Sequence, residues 1–139
     1  MTTSRALRLS PFVLLAFAVL IGCGDGRPTR VPVSGTVTID GEPLKQGYLR
    51  FVPPNDRPSS GEIDEQGRFT LTCFDEEDGA VLGTHKVAVI ANETLDEVTM
   101  KWHAPQHYAD YTTSGLEVEI TGPTDDLLIE LNSDPAATP

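Results

Sequence analysis

The sequence predicts an all-β protein, a two-layer antiparallel sandwich of seven short strands, and three observations carry that reading. Apolar residues alternate with polar ones along most of the chain. Turn chemistry such as Asp40-Gly41 and Gln66-Gly67 interrupts the alternation at short intervals. No stretch beyond residue 30 sustains the 3.6-residue period of an amphipathic helix.

The elements follow in order. Val31, Val33, Val37 and Ile39 alternate with Thr36 and Thr38, which predicts a strand running into the tight turn at Asp40-Gly41. Leu49 and Phe51 alternate with Tyr48 and Arg50, and Pro53-Pro54 stops this second strand because proline cannot donate to a ladder. A short strand over 60–64 turns through Gln66-Gly67 into a fourth over 68–74, with Phe69, Leu71 and Cys73 on its inner side. In 84–91, Val87 and Val89 face one way while Ala88 and Ile90 face the other, the mark of a central strand with both faces covered. Leu116, Val118 and Ile120, then Leu127, Ile129 and Leu131, complete the set.

The ends read differently. Arg5 and Arg8 precede an unbroken apolar run over 11–21, the pattern of an export signal, and the run is shorter than the roughly 20 residues needed to span hydrocarbon. Leu20-Ile21-Gly22-Cys23 is similar to the bacterial lipobox, which implies cleavage before Cys23 and acylation of that thiol. The alternative is an ordinary secreted protein with Cys23 a free thiol. Acyl chains give ~0.8 kcal/mol per buried methylene, so several of them hold a protein on a membrane without spanning it. The expected organisation is a signal peptide over 1–22, a lipidated tether over 23–30, a domain over 31–131 and a frayed tail over 132–139. Gly24 after the cysteine favours the outer membrane under the enteric sorting rule.

Removing 22 of 139 residues leaves 117, enough for one domain. The leader holds Arg5 and Arg8 and no acid, so the remainder has 8 Lys and Arg against 21 Asp and Glu, a formal charge of −13. A surface of that sign repels nucleic acid and anionic headgroups. Cys73, with no second thiol besides Cys23, is expected to be buried and unpaired.

One segment breaks the pattern. Residues 92–113 show no alternation and hold Trp102, His103, His107, Tyr108 and Tyr111, and connections longer than about 12–15 residues are usually functional or disordered. These five residues form the candidate binding loop. The rings either make a platform for a sugar or pin the loop onto the sandwich. His103 and His107 stand four apart, but Pro105 between them opposes a helix and Asp110 is the sole further ligand nearby, so a solvated loop is preferred to a metal site. Asp75, Glu76, Glu77 and Asp78 lack the alternating spacing of a calcium loop and read as a solvated charge run.

Four stretches carry a resemblance: Val33-Ser34-Gly35-Thr36-Val37 through Pro43-Leu44, Leu49 to Pro53, Gly61 to Phe69, and Gly83-Thr84-His85-Lys86-Val87. They resemble the carboxypeptidase regulatory-like domains of the transthyretin-like (prealbumin-like) fold. The resemblance covers about 31–131 and implies a seven-stranded Greek-key sandwich that serves as a binding or structural module. The hydrolase of purine breakdown built on the same fold ends in Tyr-Arg-Gly-Ser, whereas this chain ends in Ala-Ala-Thr-Pro and has no histidine in its first strand. No Gly-x-Ser-x-Gly elbow is present. The sequence therefore leads to a non-catalytic, lipid-anchored module of the bacterial cell envelope with no cofactor. Its partners are the membrane, through the lipid, and an envelope protein or a glycan; a carbohydrate-binding lipoprotein is the alternative, and a metal-binding or hydrolytic protein the lesser one.

Overall fold

A computed structural model describes residue 24 and residues 26–134. Each of the seven alternating runs contains a strand, and five shorter strands join them. In chain order they are β1 (Arg30–Val31), β2 (Val33–Ile39), β3 (Glu42–Pro43), β4 (Tyr48–Val52), β5 (Ser59–Glu62), β6 (Arg68–Thr70), β7 (Ala80–Val81), β8 (Gly83–Ile90), β9 (Asn92–Thr94), β10 (Met100–Trp102), β11 (Leu116–Ile120) and β12 (Thr124–Leu131). The only helical element among the described residues is a 3-10 turn at Gln106–Ala109.

Two four-stranded sheets build the sandwich. One runs β11-β8-β4-β5, the other β12-β2-β3, with β6 on the same edge of β2 as β3. Their inner faces share one core. Val33, Val37, Phe69, Ile129 and Leu131 come from the second sheet and Leu49, Phe51, Val87, Val89 and Ile120 from the first. The Phe51 and Phe69 rings meet across the layers at 6.3 Å between centroids. Burial of such side chains stabilises by about 1.5–3 kcal/mol each, which is why register is strict here. As its two-sided apolar pattern requires, β8 lies between β11 and β4.

Three boundaries differ from the sequence pattern, each for a physical reason. Pro32 has no N–H to give a ladder, so the first run splits into β1, which pairs β7, and β2. The fourth run stays in the β2 sheet only through Thr70, and Thr72 then pairs with Ser60 of the other sheet. Beyond it the Cys73, Phe74 and Asp75 amides turn to the Asp78 carboxylate instead of a strand. Every pairing is antiparallel except β12 with β2. The short 121–123 connection reverses the chain after β11 and moves it to the second sheet, where β12 runs the same way as β2.

Asp40 (φ 51°) and Gly41 (φ 84°) both occupy the left-handed region, the twist-matched turn that Asp-Gly announces. The largest departure lies in 92–113. Its first half is a hairpin, with Met100, Lys101 and Trp102 paired to Thr94, Glu93 and Asn92.

Candidate functional site

The sheet registers give the sandwich two poles. β8 starts at Gly83, opposite Ile120 of β11, and its far end, Ile90, pairs with Tyr48 at the start of β4. β1 pairs β7 just before Gly83, so the N-terminal strand enters at the pole where β8 begins. The β9–β10 hairpin continues from the other end of β8, and His103 N–H donates to the Ala91 carbonyl at 2.7 Å to fix its base. Eight residues of strand, at about 3.3 Å each, separate the two poles by roughly 26 Å.

The candidate loop residues divide between the hairpin base and the core. Tyr108 is only 6% exposed, joins the core, and its hydroxyl oxygen accepts the Asn132 N–H at 3.2 Å. His107 stacks on the Tyr108 ring at 4.0 Å, and its carbonyl accepts the Thr113 hydroxyl at 2.7 Å. His103 instead reaches Glu93 on the facing strand, Nε2 to Oε2 at 3.1 Å. Trp102 is half-buried beside a shallow cleft of about 360 Å³ lined by Ile39, His103, Pro105 and Ser133, while Tyr111 stands exposed. Burial of Tyr108 takes that ring out of any exposed surface, while Trp102 and Tyr111 remain accessible. Asp110 spends its carboxylate on the Thr112 N–H and hydroxyl, and the Thr112 amide hydrogen bond, foremost, holds it below the usual aspartate value. Among the described residues no group of three or more His, Cys, Asp and Glu side chains comes together in a way that could hold a metal ion.

The hairpin tip is the exposed feature of this pole. Leu95, Val98 and Met100 stand out, Val98 at 94% exposure. The Asp96 carboxylate accepts the Val98 and Thr99 amides and so sets the tip's conformation. The Val98 bond, chiefly, lowers the Asp96 pKa.

The tether pole is built from charges. The Phe74 ring carries the guanidiniums of Arg27, Arg30 and Arg57 at 5.0, 4.9 and 5.0 Å from its centroid. Arg30 also meets Asp78 at 2.7 Å, and Arg27 meets Asp75 at 3.0 Å. Burial pushes the Asp78 carboxyl up, but the backbone amides of Cys73, Asp75 and Phe74 and the Arg30 charge overcome it, so its pKa falls below the usual value. Cys73 is free and 4% exposed, and its thiol lies 3.6 Å from the Arg57 carbonyl. Cys23 and the signal peptide expected over 1–22 lie outside the described residues, as do residues 135–139 of the tail expected over 132–139.

Two polar features escaped the sequence reading. Two adjoining clefts on the outer face of β4 and β5 share Tyr48, Ser60 and Thr72, with Arg50 and Arg57 in one and Glu62, Glu76 and Glu77 in the other. Alternation had marked Tyr48 and Arg50 as outward-facing but not as neighbours of Thr72, because that contact depends on the strand that changes sheets. Inside, His85 is fully buried against Phe51, and its Nε2–H donates to the Val81 carbonyl at 2.8 Å, which leaves Nδ1 as an acceptor without a partner.

Scanned against protein-family models, curated proteins and solved structures, the chain matches none.

Proposed function

We propose that this chain is a non-catalytic, lipid-anchored module of the bacterial cell envelope, exported, acylated at Cys23, and binding an envelope partner through the hairpin that ends in Val98. The sandwich is, on this reading, a seven-stranded Greek key of the carboxypeptidase regulatory-like, transthyretin-like kind. One observation carries the proposal: the chain enters at one pole and presents a cluster of exposed apolar residues, Leu95, Val98 and Met100, at the other. Arg27 is already tied to Asp75, so only about four residues, or ~14 Å of extended chain, separate the folded domain from Cys23. A domain held that close keeps its first pole on the headgroups and its hairpin away from them. The scattered histidines favour binding over catalysis, since His85 is in the core, His103 is engaged by Glu93 and His107 lies against Tyr108.

The cleft beside Trp102, with the His103 and Gln106 side chains at its rim, supports the second reading, a glycan as the partner. Membrane fractionation of Cys23→Ala tests the anchor, and the variant is expected in the soluble fraction. Photo-crosslinking in intact cells from position 98, compared with position 106, separates the partners: a discrete protein adduct from the tip supports a protein. Specific retention on envelope glycan that Trp102→Ala removes supports the sugar. A Cys23→Ala chain that pellets with membranes as the parent does, or a tip that crosslinks to nothing while Trp102→Ala changes nothing, refutes the proposal.

A further inference from the structure

We infer that the cleft between Arg50 and Arg57 is a site for a compact oxyanion of the phosphate type. The argument begins with charge pairing. In a chain with 21 acidic against 10 basic residues, a guanidinium is expected to find a carboxylate, and Arg27, Arg30 and Arg68 do so at 3.0, 2.7 and 3.1 Å. Among the described residues, Arg50 and Arg57 make no ion pair. Yet they line one cleft of about 560 Å³ on the outer face of β4 and β5.

The rest of the cleft suits an anion. Ser60 and Thr72 face each other across the β5 bridge and bring two hydroxyls to it, and the Tyr48 phenol forms a third wall. Ser59, opposite Phe51 and fully buried, turns its hydroxyl toward the core, so the cleft's side-chain donors come from Ser60, Thr72 and Tyr48 on the outer face. Arg57 is held rather than free to wander, because its guanidinium packs over Phe74 at 5.0 Å. Arg27 and Arg30 crowd the same ring but are matched by Asp75 and Asp78, so the cationic charge left for the cleft is that of Arg50 and Arg57. A guanidinium fork matches the geometry of phosphate oxygens, and two forks with adjacent hydroxyls make a tetrahedral oxyanion the fitting occupant.

The neighbouring cleft limits the ligand's size and sign. Glu62, Glu76 and Glu77 line the adjoining cleft that shares Tyr48, Ser60 and Thr72, so a polyanion extending into it would meet like charge. The ligand therefore carries one phosphate group with a neutral or cationic remainder directed toward these glutamates. Two sources have that chemistry, free phosphate and the diester of a phospholipid headgroup. Arg57 and Phe74 sit at the pole where the chain enters, which makes the headgroup reachable for an anchored domain. The site itself depends neither on the anchor nor on the hairpin.

Calorimetric titration of the full chain in a neutral detergent tests it, with inorganic phosphate and with glycerophosphoglycerol as the soluble diester. Both are expected to bind, with a Kd of roughly millimolar order. The double substitution Arg50→Gln with Arg57→Gln is expected to weaken binding about tenfold or more, while Arg68→Gln leaves it unchanged. Both arginines are exposed, so near-ultraviolet circular dichroism of the double variant should match the parent. Tighter binding of the diester assigns the site to a lipid headgroup, and tighter binding of inorganic phosphate assigns it to a free anion. No saturable binding of either probe, or equal binding by the double variant, overturns the inference.

Discussion

Replacing Asp78 with alanine is expected to unfasten the tether pole. Its carboxylate accepts the Cys73 N–H at 2.7 Å and the Phe74 and Asp75 N–H groups at 3.1 Å each, and it meets Arg30 Nε at 2.7 Å. The two side chains of the ion pair are 15% and 17% exposed, so water replaces the lost bonds poorly. A hydrogen bond to a charged group contributes about 1.5–3 kcal/mol, and removing one member of a buried pair costs about 3–5 kcal/mol. Two effects reduce these figures: the exposed Asp75 amide can turn to solvent, and Asp75 Oδ2, 3.9 Å from Arg30, recovers part of the attraction. The expected loss is about 3 kcal/mol, or roughly 12 °C in Tm for a domain of this size. Urea unfolding followed by Trp102 fluorescence and by circular dichroism measures it. Asp78→Asn, which keeps an acceptor for Cys73 but not the charge for Arg30, should lose about half as much. A loss under about 1 kcal/mol for the alanine variant would refute the reasoning and leave the 73–78 loop held by Phe74 and its arginines alone.

Other outcomes follow from the same geometry. Asp78 titrates below the usual aspartate value in the folded state, so its stabilisation is complete above about pH 3.8 and is lost as pH falls through the lower folded value; urea midpoints at pH 7 and pH 3 should diverge less in Asp78→Ala than in the parent. Tyr108→Phe removes the acceptor for the half-buried Asn132 amide and should lower stability by about 1 kcal/mol, with the ring still packed in the core; a melt identical to the parent's would show that water replaces that hydroxyl. Cys73, at 4% exposure, should react with a thiol reagent far more slowly in native buffer than in urea, and equal rates would show the strand end to be open.

Alternation found the strands because it reports burial. β2, β4, β8, β11 and β12 each have one face in the shared core, and their apolar period is visible for that reason. β9 and β10 escaped it for the converse reason. Their residues are exposed or half-buried, so pairing Asn92 with Trp102 and Thr94 with Met100 needs no apolar alternation, and the hairpin is held by backbone hydrogen bonds that leave no periodic trace. Tyr108 was legible as an aromatic in an irregular segment, but its choice between platform and core depended on the packing of the 3-10 turn against β8 and on the distant Asn132, neither of which is local in sequence.

Charge was harder to read than packing, because net charge averages over positions that folding separates. The acidic run Asp75-Glu76-Glu77-Asp78 looked like one solvated cluster, yet only its first and last members meet the arginines, and Asp78 is drawn partly inward to organise the loop while Glu76 and Glu77 stay exposed. The basic residues show the reverse. Arg27, Arg30, Arg50 and Arg57 are spread over thirty positions of a strongly acidic chain, and nothing in their spacing marks them as neighbours. The sheet registers bring them together: Arg50 lies opposite Ser60, Ser60 pairs with Thr72, and two residues further on Phe74 collects the other three guanidiniums. A formal charge of −11 argues that the surface at large repels anions, whereas Arg50 and Arg57, which make no ion pair among the described residues, act on an anion only at short range, within about one Debye length, ~8 Å at physiological salt. Salt dependence therefore separates the two scales: added sodium chloride should weaken phosphate uptake at the Arg50 cleft while leaving the buried Arg30 pairing, and with it the fold, nearly unchanged.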